Sequence, residues 1–94
     1  MPLDPQAQVA LDAAAAIGLP PNHTVSAQEA RANSKLRPRP AGPEVAKVED
    51  RNIPGPGGEI PVRIYTPAGS GPFPILVWFH GGGWVLGDLE QADG

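Results

Sequence analysis

The amino-acid sequence predicts an incomplete α/β fold, in which two short helices precede a β-hairpin and a strand covered on both faces. The spacing of apolar residues changes near residue 44 from the helical period of 3.6 to the two-residue period of strands. Proline and glycine are also abundant, with 13 and 12 copies among 94 residues, about twice the usual share. We therefore expect this chain to depend on more protein than these residues to complete a core.

The first helix is predicted from Asp4 to Ile17. Asp4 suits the N-cap position, and Pro5 suits the first helical turn because its missing N–H would have no partner there. Gly18 is typical of the position just after a helix, since glycine adopts the left-handed backbone that ends one. The apolar stripe of this helix is thin and mostly alanine, so the helix needs a partner surface.

A second helix is predicted from Ser26 to about Lys35. Ser26 and Glu29 have the spacing of a capping box, in which each side chain accepts a hydrogen bond from the backbone of the other. The prolines of segment 37–43 then exclude helix. We interpret that segment as a connector, so that residues 1–43 form one part of the chain and residues 44–94 the other.

A β-hairpin follows the connector. Residues 44–53 form a weak strand, the turn lies at 54–58 in the sequence Pro-Gly-Pro-Gly-Gly, and apolar residues alternate with others from Ile60 to Thr66. The alternation predicts one apolar face and one wet face. Pro61 cannot donate to a strand ladder, which places the second strand near a sheet edge.

The most informative stretch begins with five consecutive apolar residues from Ile75 to Phe79. An apolar run without alternation is typical of a strand buried on both faces, as in an α/β sheet. The run leads directly into the sequence His-Gly-Gly-Gly-Trp at 80–84. Successive glycines after a strand expose backbone N–H groups that can bind an anion.

Two kinds of anion fit such a glycine loop: a phosphate, or the oxyanion formed when a nucleophile attacks an ester or amide carbonyl. The spacing of Gly81, Gly83 and Gly87 loosely matches a dinucleotide fingerprint. However, Trp84 crowds the approach of a pyrophosphate, and no Lys-Ser or Lys-Thr pair follows. A glycine-rich turn without any chemistry is the third possibility.

The motif at 80–84 resembles the oxyanion-hole loop of esterases and lipases with the α/β-hydrolase fold. The longer string from Val77 to Glu90 is similar to the hormone-sensitive-lipase-like branch, which includes bacterial esterases and arylacetamide-deacetylase relatives. In that branch the stretch after the glycines commonly reads Gly-Asp-Leu-Glu, as it does at 87–90. The start of the chain and the helix at Ser26 also look like the amino-terminal cap of small bacterial members.

The resemblance implies a role for each residue of the motif. Gly82 and Gly83 would donate the N–H groups that hold the oxyanion, and Gly81 would shape the turn. His80 would tie the loop down through hydrogen bonds rather than act as the catalytic base. Trp84 would form a wall of the acyl pocket or pack against neighbouring side chains. The two helices would form part of a lid over the substrate entrance.

The catalytic triad of such an enzyme is absent from the sequence. The fold requires a serine in a G-x-S-x-G elbow followed by an acid and a histidine, and none of the serines at Ser26, Ser34 and Ser70 stands in that motif. His23 precedes any reasonable nucleophile. We expect the chain to be the amino-terminal segment of a serine ester hydrolase, acting on a small ester together with the remainder of the hydrolase domain, and to be inactive and poorly folded alone. The alternative is a non-catalytic protein that pairs with a partner through its exposed strand or proline-rich segment.

Composition excludes several other functions. A net charge of −3 with scattered basic residues gives no surface for nucleic acid. No apolar run approaches the roughly 20 residues that span a bilayer, and the amino terminus does not resemble a signal peptide. Cysteine is absent, which removes thiolate metal sites and fits a reducing compartment. We therefore expect a cytoplasmic protein, and the resemblance to the hydrolase family implies that it needs no metal or organic cofactor.

Overall fold

A computed structural model describes residues 1–93 of the chain. The regular elements are α1 (Pro5–Ala16), α2 (Ala27–Ser34), β1 (Lys47–Gly55) and β2 (Gly58–Thr66), with single 3₁₀ turns at Asn22–Thr24 and Glu90–Ala92. The described chain divides into two compact units. The helical unit contains residues 1–40 and 81–87, and the hairpin unit contains residues 41–80 and 88–93.

Local hydrogen bonds fix both helices in the helical unit. The Asp4 side chain accepts the Gln6 N–H at 2.8 Å at the start of α1, and Gly18 follows the helix with φ of +70°. At the start of α2, the Ser26 hydroxyl accepts the Glu29 N–H at 3.2 Å, and the Glu29 carboxylate accepts the Ser26 N–H at 3.0 Å. The predicted N-caps and the capping box are confirmed.

Helix α2 carries the single buried hydrophobic side chain among residues 1–93. Ala30 is 3% exposed, whereas α1 has no buried residue. The hydrogen bonds from Ser26 also hold the pKa of the Glu29 carboxyl below its usual value, because they stabilise its charged form. No helix in the described part of the chain has the length and apolar character needed to cross a membrane.

The hairpin unit is a two-stranded antiparallel sheet in which β1 pairs with β2. Lys47 lies opposite Thr66, and Gly55 lies opposite Gly58, so that Pro56 and Gly57 form the two-residue turn. The predicted hairpin is confirmed, although its strands extend further toward the turn than the sequence pattern indicates. Pro61 pairs with Asn52 in the middle of β2. Both strands of this two-stranded sheet are edges, which accommodates a residue without an N–H.

The prediction of a buried third strand at 75–79 is wrong for the chain as described. Residues 71–81 have no regular secondary structure, and the apolar side chains from Ile75 to Phe79 are 67% to 91% exposed. A strand needs a hydrogen-bonded neighbour, and β1 and β2 pair only with each other among residues 1–93. The apolar pattern is that of a buried strand, but residues 1–93 by themselves do not bury this segment.

Candidate functional site

The glycine motif forms a tight turn within the helical unit. The carbonyl oxygen of Gly82 accepts two hydrogen bonds, from the Val85 N–H at 3.1 Å and from the Leu86 N–H at 2.9 Å. The backbone adopts positive φ at three successive positions: +149° at Gly82, +57° at Gly83 and +60° at Trp84. We call residues 82–86 the glycine turn.

The glycine turn fixes the direction of one backbone donor. Since the Gly82–Gly83 peptide bond is trans, the Gly83 N–H points opposite to the Gly82 carbonyl. That carbonyl is directed at the amides of Val85 and Leu86, so the Gly83 N–H is directed away from them. Within residues 1–93, neither the Gly82 nor the Gly83 amide donates a hydrogen bond. The turn therefore offers backbone donors to an acceptor.

Glycine is required sterically at position 82. A Cβ there would collide with the carbonyl oxygen of Leu86 and lie 2.5 Å from its carbon, and φ is +149°. At Gly83 a Cβ meets no atom within 4 Å, but φ of +57° still favours glycine. At Gly81 no atom lies within 4 Å, and φ is not in the left-handed region. Glycine is thus required at residue 82 for steric and conformational reasons and is favoured at residue 83 for conformational reasons alone.

Trp84 occupies the left-handed region without being a glycine. This conformation costs an ordinary residue roughly 1–2 kcal/mol, and such strain is concentrated at functional sites. The indole side chain is fully exposed, so the residue that follows Gly83 presents a large aromatic surface to solvent. Trp84 packs on no core in the described part of the chain.

The sequence motif spans both units of the structure. His80 ends the stretch without regular structure in the hairpin unit, and Gly81 to Gly87 belong to the helical unit. The structure thus brings Gly82, Gly83 and Trp84 together in one turn.

Arg31 on α2 contacts the glycine turn and is a residue that sequence reasoning missed. Its Nε donates a hydrogen bond to the Val85 carbonyl oxygen at 2.8 Å, across 54 positions of sequence. Both residues lie in the helical unit. The sequence offers only one weak signal for this role, a basic residue in the last turn of a short polar helix.

A cluster of charges organises the segment that follows the glycine turn, within the hairpin unit. Arg63 on β2 donates to both carboxylate oxygens of Asp50, at 2.7 and 3.0 Å, and to Glu90 at 2.6 Å. Asp93 completes an ion pair with it at 3.1 Å. Only 11% of the Arg63 side chain is exposed. These carboxylates raise the pKa of Arg63, and its guanidinium lowers the pKa of the Asp50 carboxyl.

The same cluster includes the hydroxyl of Tyr65, which donates a hydrogen bond to Asp93. The hydrogen bond from Tyr65 and the Arg63 guanidinium lower the pKa of the Asp93 carboxyl, and the bond to Asp93 raises the pKa of Tyr65.

A further side-chain contact orders the segment after the glycine turn. The Asp88 carboxylate accepts the Gln91 N–H at 2.8 Å and thereby caps the turn at 90–92. Residues 88–93 are thus attached to β2 by side chains. The hairpin register places Asp50 opposite Arg63, so the ion pair between these two residues could have been predicted from the sequence.

Part of this chain is similar in sequence to known esterases and to a protein of the AB hydrolase superfamily. Over 53 residues the chain is 57% identical to the carboxylic ester hydrolase LipN of Mycobacterium tuberculosis, covering 55% of this chain and 14% of LipN. It is 44% identical over 59 residues to the esterase LipI of the same organism, covering 60% of this chain and 18% of LipI. It is 42% identical over 57 residues to an AB hydrolase superfamily protein of Schizosaccharomyces pombe, covering 52% of this chain and 16% of that protein. No family model matches the chain.

These similarities confirm the predicted relationship: over about half of its length, the chain is homologous to esterases of the α/β-hydrolase class. Two helices and a two-stranded antiparallel sheet fit a part of such a fold. The chain spans less than a fifth of the length of each of these relatives.

Proposed function

We propose that this chain is the amino-terminal part of a serine carboxylic-ester hydrolase of the hormone-sensitive-lipase-like branch, contributing its oxyanion hole. The observation that carries the proposal is the glycine turn. The Gly82 carbonyl accepts two hydrogen bonds from within the turn, so the Gly83 N–H of the same peptide group points away from the turn. There it can donate to a developing negative charge. The names of the esterase relatives support an ester as the substrate.

The chemistry is acyl transfer to a serine that the remainder of the hydrolase domain supplies. The serine oxygen forms a bond to the ester carbonyl carbon while histidine takes the serine proton, and the carbonyl electron pair moves onto oxygen. The N–H groups of Gly82 and Gly83 stabilise that oxyanion. The intermediate then collapses, histidine protonates the leaving alkoxide, and water releases the acid by the same route. Each oxyanion donor lowers the activation free energy by about 3 kcal/mol.

The other residues of the motif support this chemistry. We propose that Trp84 forms a wall of the acyl pocket, since it follows Gly83 directly and its indole is exposed. His80 and Gly81 shape the loop at the end of the apolar run. Residues 1–43 act as a cap over the substrate entrance, and residues 44–94 begin the hydrolase domain. The reaction uses serine, histidine and a carboxylate, and needs no metal. The lack of cysteine supports the cytoplasm as its compartment.

A chimera tests the proposal directly. In it, this chain replaces the part of LipN that ends with the matched segment, and hydrolysis of a short-chain p-nitrophenyl ester is followed by absorbance. We expect an active enzyme. Gly82→Ala should lower kcat at least about 100-fold, because its Cβ collides with Leu86 and displaces the glycine turn.

The matched control is Gly57→Ala in the hairpin turn. A Cβ at Gly57 meets no atom within 4 Å, and its φ is not left-handed, so this variant should keep the activity of the chimera. A folded but inactive chimera, or a Gly82→Ala variant as active as Gly57→Ala, would contradict the proposal.

A second candidate is an interaction protein that pairs with a partner through an exposed strand. The exposed side chains from Ile75 to Phe79 and the unpaired edges of the hairpin favour it. It predicts that the purified chain forms a stable, monodisperse species of 9.8 kDa in light scattering, without esterase activity. Aggregation of the purified chain would count against this candidate.

A further inference from the structure

The side chain of Arg31 reaches the proposed oxyanion donor through two peptide groups. Its Nε donates to the Val85 carbonyl at 2.8 Å. The Leu86 N–H, which belongs to the same peptide group as that carbonyl, donates to the Gly82 carbonyl at 2.9 Å. The Gly83 N–H belongs in turn to the peptide group of the Gly82 carbonyl. A continuous hydrogen-bonded series therefore links the guanidinium to the Gly83 N–H.

The direction of every group in this series is fixed. Both peptide groups are trans, so within each one the N–H points opposite to the C=O. The guanidinium donates to the first carbonyl, the first N–H donates to the second carbonyl, and the second N–H points onward. Hydrogen bonds arranged in this head-to-tail order polarise one another and strengthen each successive donor. A cation at the start of the series acts in the same sense on the last N–H.

We propose that Arg31 is a positioning residue of the oxyanion hole, which orients the glycine turn and increases the hydrogen-bonding strength of the Gly83 N–H. This inference rests on the proposed function. Arg31 carries a guanidinium, and it stands on a helix whose start is capped and in which the neighbouring residue Ala30 is buried. The charge is thereby attached to a defined element rather than to a free loop.

Arg31 also has a counterpart that lacks this contact. Arg37 is an exposed arginine in the same unit, and no side-chain hydrogen bond joins it to another of residues 1–93. Removing Arg37 changes the net charge by the same amount as removing Arg31. The Arg37→Ala variant therefore serves as the matched control.

The first experiment uses nuclear magnetic resonance on the folded LipN chimera, in which the remainder of the hydrolase domain can cover the apolar run. Arg31→Ala should move the amide proton resonances of Leu86 and Gly83 to lower chemical shift, because both donors become less polarised. Arg37→Ala should leave both resonances in place. Equal shifts in the two variants, or none in either, would overturn the proposal.

The second experiment measures kinetics in the LipN chimera. Arg31→Ala should lower kcat about tenfold and change KM less than twofold, because an oxyanion donor acts mainly on the transition state. Arg31→Lys keeps the charge and should recover at least a third of the lost activity, whereas Arg31→Gln, a neutral donor, should recover less. Full activity in Arg31→Gln would overturn the role of the charge, and full activity in Arg31→Ala would overturn the role of the residue.

The two experiments separate this inference from the function on which it rests. If the chimera with native Arg31 folds but shows no hydrolysis, the proposed function fails. The amide resonances of Gly83 and Leu86 still decide whether Arg31 orients and polarises the glycine turn.

Discussion

Tyr65 is the single tyrosine of the chain, so the ionisation of its hydroxyl can be used to probe the charge cluster of the hairpin unit. Its hydroxyl donates to the Asp93 carboxylate. Loss of the phenol proton would place two negative charges side by side, so the hydrogen bond to Asp93 raises the pKa of Tyr65. The pairing thus stabilises the fold below the ordinary phenol pKa of about 10 and loses that effect as pH rises through the raised value.

We predict that Tyr65 titrates at a higher pH in the folded chain than a free tyrosine does. Absorbance near 295 nm during alkaline titration measures this. Asp93→Ala should return the midpoint toward the ordinary value, while Asp12→Ala removes the same charge from α1 and should leave it unchanged. A midpoint unaffected by Asp93→Ala would show that the hydrogen bond does not persist in solution.

Single residues also show where sequence reasoning succeeds. The need for glycine at 82 and 83 follows from the motif, and the backbone angles there explain it. Arg31 and Val85 stand 54 positions apart, and no local pattern encodes a hydrogen bond from a side chain to a distant carbonyl. The glycine requirement is local to the motif, whereas the Arg31 contact depends on the tertiary structure.

At the scale of elements, the hairpin depends on the backbone of one turn residue. Gly58 opens β2 with φ of +130°, and a Cβ there would meet no atom within 4 Å. The constraint is therefore conformational and not steric crowding by neighbours. Gly57, one residue earlier, is free of both constraints.

Gly58→Ala should destabilise the hairpin by more than about 1 kcal/mol, because alanine cannot adopt that φ without strain. Gly57→Ala should be neutral or slightly stabilising, since it reduces the freedom of the unfolded chain. Amide hydrogen exchange across β1 and β2 measures both effects. Equal protection in the two variants would mean that the turn adopts another conformation.

The secondary-structure elements also fall into two groups: those encoded by neighbouring residues and those that need partners elsewhere in the protein. Helix caps and the hairpin are encoded within a few residues. The structure contains the caps as predicted, and it contains the hairpin with a turn of two residues, which is shorter than the predicted turn at 54–58. The run at 75–79 was predicted to be a buried strand, yet it has neither a partner nor burial among residues 1–93. A strand is a property of a sheet, so its pattern can be present in a segment whose neighbours are not.

For the molecule as a whole, the near absence of buried side chains has a thermodynamic consequence. Ala30 is the single buried hydrophobic residue in the described chain. A cooperative transition requires a shared core whose loss is all-or-none. The two units instead rely on helix capping, strand pairing and ion pairs between Arg63 and exposed carboxylates, which are local interactions.

We predict that heating the 94-residue chain produces a gradual change in circular dichroism without a calorimetric peak. The LipN chimera, in which the apolar run can be covered, should melt cooperatively. A sharp two-state transition in the 94-residue chain would contradict the prediction and would also count against its being an incomplete hydrolase domain.

The exposed run from Ile75 to Phe79 also bears on solubility. Fibril-forming segments are typically six or seven residues long, with strong β-propensity, little charge and no proline. Here the apolar run is five residues long, Pro74 precedes it, and His80 and three glycines follow it. The breaker residues on both sides shorten the window available to a steric zipper. The glycines proposed to serve catalysis therefore also act as gatekeepers against amyloid for as long as this segment remains uncovered.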